Sequence, residues 1–330
     1  MQIVMITPFY YPSIGGVESI VKDTSEELAR RGHAISVVTT TLNNMWKNVA
    51  EPGVEEGNGT RIYRLKPMFL KVGAVPIMKD LKKTLFELEP DIVHSHNLHP
   101  HLFQAIKWKS QIGYGLIAQL HAPEIAGMDY LSCRLLFPMV SKFLANKLRM
   151  IYMIFVHTKI EMRSLIGRGI EERRIRKVRY PCVPYAMFCE KQEMETESFS
   201  ENTLLYIGRV TERKGIHVLL KSLPHLTASV KDVRAIITGP SDDKYSERLF
   251  SLVDKLNLRD RVIFNQPLPE EEKIKLLRKC TLFVAPSIRD YTPVTLVEAQ
   301  TLGKPVVSTI VGGIGEIVKK FAPTKILIVN

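Results

Sequence analysis

The chain has 330 residues, and 46 Lys and Arg against 34 Asp and Glu leave it at +12 at neutral pH. Hydrophobic residues at 45% and charged residues at 24% are globular averages, which excludes a mainly disordered chain, and the length allows two domains that each bury a core. No apolar run approaches the roughly 20 residues that span a bilayer. The opening Met1-Gln2-Ile3-Val4-Met5-Ile6 has no basic region before it and is cut short by Pro8, so no signal peptide and a cytoplasmic location are expected. Cys133, Cys182, Cys189 and Cys280 are scattered, which argues against a disulfide framework or a zinc ribbon. The positive charge leaves nucleic acid, an anionic membrane surface and a phosphate-bearing substrate open.

In chain order, residues 2–7 read as a buried strand, 16–31 as an amphipathic helix and 34–40 as a second strand, a βαβ opening. Further strands are predicted at 61–65, 92–94, 116–120, 151–156 and 176–180. These runs are apolar almost throughout and do not alternate, as in parallel sheets covered on both faces. Residues 180–184 (Tyr-Pro-Cys-Val-Pro) cannot continue a helix, and 190–202 is polar, acidic and weakly patterned. The domain boundary is placed there, giving domains 1–190 and 191–330. The second domain offers strands at 204–207, 233–238, 262–264, 282–285, 305–308 and 326–329, with helices between them at 215–223, 246–255 and 270–279. The predicted fold is α/β: two Rossmann-like, doubly wound domains. Ligands in such sheets lie beyond the carboxyl ends of the strands, so a paired arrangement is expected to put the site in the interdomain cleft.

The first turn reads Pro8-Phe9-Tyr10-Tyr11-Pro12-Ser13-Ile14-Gly15-Gly16, long and Pro-rich, and not the GxGxxG of a dinucleotide fold. Walker A is absent as well, because the span from Gly208 to Gly215 has the wrong spacing and Lys214 precedes its glycine. Gly15 and Gly16 nonetheless sit where backbone N–H groups and a helix N-terminus meet an anion; the alternative is a tight turn feeding a helix.

Two stretches carry chemistry. In Tyr206-Ile207-Gly208-Arg209-Val210-Thr211-Glu212-Arg213-Lys214-Gly215, a strand gives way to a helix with Arg209 and Lys214 near its start. A guanidinium fork and a mobile ammonium can hold a diphosphate without a metal and neutralise a leaving group. In residues 286–300 a strand ends, a loop carries Asp290, and a helix carries Glu298 until Gly303 stops it. Glu298 is placed to accept the hydroxyls of a ribose and Asp290 those of a sugar. Val294 and Thr295 keep the N–H that Pro293 lacks.

These strings, Gly-Arg-x5-Gly with Lys before the second Gly and acid-x7-Glu-Ala-x3-Gly-x-Pro-Val-Val, resemble the retaining glycosyltransferases of family 4, which have the GT-B fold. The resemblance extends over nearly the whole chain. It includes the loop from Pro8 to Gly16, Asp91-Ile92-Val93-His94-Ser95-His96, Gln119-Leu120-His121, and Gly312-Gly313-Ile314-Gly315-Glu316. It implies that Arg209 and Lys214 bind a donor diphosphate and that Glu298 binds the nucleotide ribose. Asp290, standing where the family usually has Glu, would contact the donor sugar. Gly16 would let its loop approach the phosphates, and His121 would lie beside the donor sugar and the attacking acceptor. The implied reaction is metal-independent hexosyl transfer with retention, from a UDP- or GDP-sugar to a glycan or lipid-linked acceptor, with no cofactor. Family members usually continue with helices that cross back to the first domain, so domain 191–330 is expected to lack them. The alternatives are a nucleotide-sugar epimerase and a donor-binding protein with weak or no turnover.

His94, His96, His99 and His101 lie close together, but no Cys or carboxylate completes a ligand set, so no metal is expected. They read instead as a strand-end loop lining the acceptor side. Residues 131–180 hold 12 Lys and Arg against 3 Asp and Glu, and Lys142, Lys147 and Arg149 alternate with Phe143, Leu144, Leu148 and Met150. That composition suits an amphipathic surface helix and peripheral association with anionic membrane at its inner face. A nucleic-acid partner is not expected, since no aromatic-basic platform or known motif accompanies the charge.

Overall fold

The computed structural model describes residues 1–13, 15–44, 47–68, 76–121, 146–178, 202–241, 243–290, 293–318 and 326–329. The chain divides into two compact units, Met1–Cys182 and Val183–Asn330.

The first unit holds β1 (Gln2–Ile6), α1 (Gly16–Arg30), β2 (Ala34–Thr40), β3 (Gly53–Gly57), β4 (Thr60–Leu65), β5 (Pro67–Met68), β6 (Ile77–Met78), α2 (Leu81–Leu88), β7 (Ile92–His96), α3 (Pro100–Ile112), β8 (Gly115–Gln119), β9 (Met153–Val156), α4 (Lys159–Ile166) and β10 (Ile175–Lys177). Its main sheet has the order β10-β9-β8-β7-β1-β2-β4-β3, and every pairing is parallel except β3 with β4. The second unit holds β11 (Asn202–Ile207), α5 (Ile216–Ser229), β12 (Val233–Thr238), α6 (Asp243–Lys255), β13 (Val262–Asn265), α7 (Glu270–Lys279), β14 (Leu282–Ala285), α8 (Val294–Thr301), β15 (Val306–Thr309), α9 (Ile314–Val318) and β16 (Ile326–Val329). Its order is β13-β12-β11-β14-β15-β16, all parallel, the doubly wound order in which the winding reverses beside the first strand.

The unbroken apolar runs have a direct cause. Leu204 and Tyr206 of β11 pack into one buried cluster with Ile216, Leu220 and Leu249, while Leu205 between them packs into another with Phe283, Leu277 and Leu296. In β1, Val4 and Ile6 join Leu85 and Leu102, and Met5 joins Tyr10 and Val21. Successive side chains point to opposite faces, so a strand covered on both faces must be apolar at each position. Each fully buried Leu or Ile contributes about 1.5–3 kcal/mol through area removed from water.

Several elements depart from the predicted spans. The hairpin formed by β3 and β4 was not expected; β3 is nearly all exposed and carries no apolar period to read. Helix α5 runs to Ser229 through Pro224, beyond the expected end at residue 223. The strand at 176–180 is observed as Ile175–Lys177, and residues 179–180 lie outside the described set. Of the histidines expected in a loop, His94, His96 and His101 are instead inside elements, and only His99 lies in the connection. His94 and His96 belong to β7, His99 precedes α3, and Pro100 starts that helix, where its missing N–H costs nothing. His94, His96 and His101 are buried.

At the end of β9, Thr158 caps α4. Its hydroxyl accepts from the Glu161 N–H at 3.1 Å, and Glu161 Oε2 accepts from the N–H groups of His157 and Thr158, both at 2.8 Å. Thr158→Ala is expected to lower stability by about 1 kcal/mol, read as a lower urea midpoint; an unchanged midpoint would show that the cap contributes nothing.

Candidate functional site

In a doubly wound sheet the crevice opens where neighbouring strands send their connections to opposite faces. In the second unit that point lies between β11 and β14, which pair through Leu204–Leu282 and Leu205–Phe283. Residues 208–215 follow β11 and residues 286–293 follow β14. The two stretches predicted to carry chemistry therefore leave adjacent strand ends.

They are also bound to each other. The N–H groups of Ile288 and Arg289 both donate to the Arg213 carbonyl, at 2.9 and 3.0 Å. Gly215, with φ +67°, closes the 3-10 turn Glu212–Lys214, and a Cβ there would stand 2.0 Å from the Pro286 carbonyl oxygen. Only glycine permits that conformation and that approach. Across this junction Lys214 Nζ forms an ion pair with Asp290 Oδ2, which also accepts from Ser287 Oγ at 3.2 Å. Burial pulls Lys214 below the usual lysine range, while Asp290 pushes the other way. Arg209 is exposed, and its carbonyl accepts from the Tyr206 hydroxyl at 2.8 Å. Val294 and Thr295 open α8, so their N–H groups have no acceptor inside the helix. The Thr295 hydroxyl donates to the Ile207 carbonyl at 3.0 Å and ties α8 to the end of β11.

Glu298 is 4% exposed. Its Oε1 accepts from Lys273 Nζ of α7 at 2.9 Å, and Lys273 also meets Glu270 Oε1 at 2.6 Å. Among the described residues Glu298 Oε2 is buried and has no hydrogen-bond partner. Burial pushes Glu298 above the usual carboxylate range, against the pull of Lys273. Burial alone would lower Lys273, but the two glutamates outweigh it and leave it raised. Sequence reasoning missed Lys273. Its only signal is the spacing from Glu270, and nothing in the chain order joins α7 to α8.

In the first unit the winding reverses between β1 and β7. Beyond β1, Gly15 precedes α1 with extended backbone, and Gly16 is the helix's first residue. A Cβ on Gly15 would stand 2.3 Å from Glu18 Oε2 and 3.0 Å from Asn44 Nδ2. The first turn of α1 is thus held by its own buried carboxylate, whose Oε1 accepts from Asn44 Nδ2 at 3.1 Å and Ser13 Oγ at 3.4 Å. A Cβ at Gly15 would displace that carboxylate. Arg64 Nη2 donates to the Tyr11 carbonyl at 2.6 Å and steadies the same loop.

In β7 and α3 and just past β8 and β9 lies a buried group of histidines. His96 Nδ1 is 3.0 Å from His121 Nε2, His101 Nε2 is 2.8 Å from the His96 carbonyl, and Gln119 Nε2 is 3.3 Å from His157 Nε2. Burial drives their pKa values down: to about 4 in His94 and His157, to about 3 in His101, and well below the ordinary value in His96 and His121, where neighbouring imidazoles add to the effect. Among the described residues no group of three or more His, Cys, Asp or Glu is arranged to hold a metal. In the basic segment, Lys142, Phe143 and Leu144 lie outside the described residues; Lys147 and Arg149 are within them, and Met150 and Tyr152 are exposed. Among the described residues no helix is long and apolar enough to cross a membrane.

Two units with Rossmann-type winding, the second carrying a cation–carboxylate pair at its switch point, define a doubly wound α/β protein with its candidate site beyond the strand ends. The family described as "Glycosyltransferase Family 4" matches residues 14–180, and "Glycosyl transferases group 1" matches residues 190–330. The chain belongs to this family of GT-B glycosyltransferases. An uncharacterized glycosyltransferase of Methanocaldococcus jannaschii is 27% identical over 354 residues, covering 97% of this chain and 83% of that one. One polypeptide of the human phosphatidylinositol N-acetylglucosaminyltransferase is 26% identical over 333 residues; the match covers 96% of this chain but 63% of the human one. Among solved structures, Anabaena HepE in complex with UDP-glucose superimposes with a TM-score of 0.72 at 18% identity, covering 99% of this chain and 85% of that one. WaaG, a glycosyltransferase involved in lipopolysaccharide biosynthesis, gives 0.73 at 17% identity, covering 99% and 86%.

The histidine group makes stability depend on pH. Histidines held neutral by burial bind fewer protons when folded than when unfolded, where their pKa is about 6.5. Their contribution is complete above about pH 6.5 and falls as pH drops from there through about 4. The loss is expected to approach about 1.4 kcal/mol per pH unit for each histidine that must charge. Urea midpoints should stay nearly level from pH 7.5 to about 6.5 and fall from there to pH 5; a flat profile down to pH 5 would contradict the burial of these rings.

Proposed function

We propose that this glycosyltransferase moves a hexosyl group from a nucleoside diphosphate sugar to a lipid-linked or glycan acceptor, with retention and without a metal. The observation that carries the reading is the Lys214–Asp290 ion pair at the second unit's switch point. Lys214 and the exposed Arg209 take the diphosphate, and their charge offsets that of the departing nucleotide. Asp290 is held by Lys214 and Ser287, where it meets sugar hydroxyls. The unpartnered Oε2 of Glu298 takes a ribose hydroxyl, while Lys273 neutralises the carboxylate behind it. The N–H groups of Val294 and Thr295 add donors. His121 and the loop around Gly15 and Gly16 belong to the first unit, which takes the acceptor. A UDP-sugar is tested first because HepE binds UDP-glucose; a GDP-sugar remains the alternative.

A second reading, donor binding with weak turnover, is favoured by one feature: Asp290 is one methylene shorter than the family's usual Glu and is already engaged by Lys214. Single-turnover transfer from a radiolabelled donor separates the two readings.

Thermal unfolding in EDTA with saturating UDP-glucose, UDP-N-acetylglucosamine or GDP-mannose should raise the midpoint for at least one donor, because a ligand at about 100 times its Kd adds about 2.7 kcal/mol. Lys214→Ala and Glu298→Gln should each weaken that donor about tenfold or more, equivalent to about 1.4 kcal/mol. If no nucleotide sugar shifts the midpoint, or if both variants bind normally, the donor site is elsewhere.

The membrane part of the reading rests on the cation-rich segment 131–180 and on the phosphatidylinositol in the name of the human relative. Flotation with vesicles containing anionic lipid should carry the protein upward, and Lys142→Glu with Lys147→Glu and Arg149→Glu should abolish this. Equal flotation of the triple variant would exclude the segment as the contact.

A further inference from the structure

Arg209 is exposed, yet the backbone that carries it is held on both sides. The peptide that follows it is gripped at both edges. Its carbonyl, on Arg209, accepts from the Tyr206 hydroxyl at 2.8 Å and from the Thr211 N–H at 3.1 Å. Its N–H, on Val210, donates to the Pro240 carbonyl at 2.8 Å. The peptide that precedes Arg209 has its carbonyl on Gly208. That oxygen lies so close to Gly239, at φ +142°, that a Cβ there would stand 2.1 Å away. With both flanking peptide planes fixed, the direction in which the Arg209 side chain leaves the backbone is fixed as well.

Of these partners only Tyr206 contributes a side chain. Its ring sits near the end of β11, 3% exposed, in the core with Ile216, Leu220 and Leu249. A phenylalanine would fill the same space, so packing does not account for the hydroxyl. Gly208, at φ +154°, leaves room for it: a Cβ there would stand 3.0 Å from the hydroxyl oxygen. Tyr206 is pushed above the usual phenol range by burial first and then by the Asp290 carboxylate, so it stays a donor at physiological pH; Arg213 and Arg209 oppose the shift. Burial is likewise the main cause that lowers Lys214, and Arg213 and Arg209 add to it against the pull of Asp290. The charge of Arg209 is thus felt at both Tyr206 and Lys214, which places the clamp within the site.

We propose that Tyr206 is a positioning residue whose hydroxyl fixes the Arg209–Val210 peptide, so that the Arg209 guanidinium is directed at a diphosphate beside Lys214. A long side chain loses rotamer freedom when it closes on an anion, and a fixed root leaves it less to lose. The consequence for binding rests on the reading of Arg209 and Lys214 as the diphosphate-binding cations; the clamp itself does not.

The test uses the full chain with Tyr206→Phe, which keeps the ring, and Arg209→Ala, alone and combined. Without ligand, amide hydrogen exchange at Val210 and Thr211 should quicken about fivefold in Tyr206→Phe, while Ala235 and Ile237 inside β12 keep their wild-type rates. Unchanged exchange at Val210 and Thr211 overturns the clamp, and so does an equal rise at all four, which would be a loss of global stability. In titrations with UDP and with uridine, or GDP and guanosine if the donor screen selects that base, Tyr206→Phe should weaken the diphosphate about fivefold. It should leave the nucleoside at its wild-type affinity, since that ligand has no phosphate for Arg209 to meet. Equal weakening of both ligands, or of neither, overturns the positioning role. In the Arg209→Ala background, Tyr206→Phe should have no further effect on the diphosphate, and additive losses overturn the proposal. If Arg209→Ala alone leaves that affinity unchanged, the diphosphate reading fails and the direction proposed for Arg209 fails with it. The exchange rates need no ligand, so they judge the clamp separately.

Discussion

Strand β11 lies between β12 and β14, and its chain connection can follow only one face of the sheet while that of β14 follows the other. Right-handed crossovers leave no choice in this. The ends of β11 and β14 therefore diverge, and the space between them is lined by whatever each loop carries. In this protein one loop carries Lys214 and the other Asp290, and their ion pair draws the loops together. The contact at Gly215 and the bonds from Ile288 and Arg289 to Arg213 follow from that approach. The same rule places the first unit's switch point between β1 and β7, where the loop from Pro8 follows β1 and His94 and His96 lie in β7.

Charge in the second unit's site is arranged in compensated pairs. Lys214 is matched by Asp290 and Lys273 by Glu298, so neither buried ammonium stands alone. Removing one partner from such a pair leaves a bare charge in a poorly solvated place, which costs far more than the pair itself contributes. Of the +12 overall, these cations contribute nothing to the outer field. That field comes from exposed groups such as Arg209 and, beyond the site, from the basic segment before the second unit.

Much of the fold was legible because covered parallel strands leave unbroken apolar runs, and the runs at 34–40, 233–238 and 282–285 coincide with β2, β12 and β14. The hairpin strand β3 was not legible, since Gly53, Val54, Glu55 and Glu56 are all exposed and pack against no core. Pro224 within α5 broke a rule that works by removing a single hydrogen bond, a loss that the packing of Leu219, Leu220 and Leu223 offsets. At the site, Arg209, Lys214, Asp290 and Glu298 stood out because they sit at fixed offsets from glycines within two short stretches of chain. Lys273 and the pairing of His96 with His121 did not. Each joins residues on different elements, 25 positions apart, and only the folded sheet brings them within reach.

Arg64 has a further consequence. Its side chain is buried in β4, where it bonds both oxygens of Glu55 and the Tyr11 carbonyl. Glu55 belongs to β3, the last strand of the sheet, so one guanidinium holds the outer strand and the loop after β1 together. Without β3, the outer face of β4 would offer a row of unpaired amide groups, the template on which strands of other chains add. With β3 in place the border of the sheet carries Glu55 and Glu56 and runs antiparallel to its neighbour. The residue that steadies a loop near the site thereby also protects the molecule against edge-to-edge association.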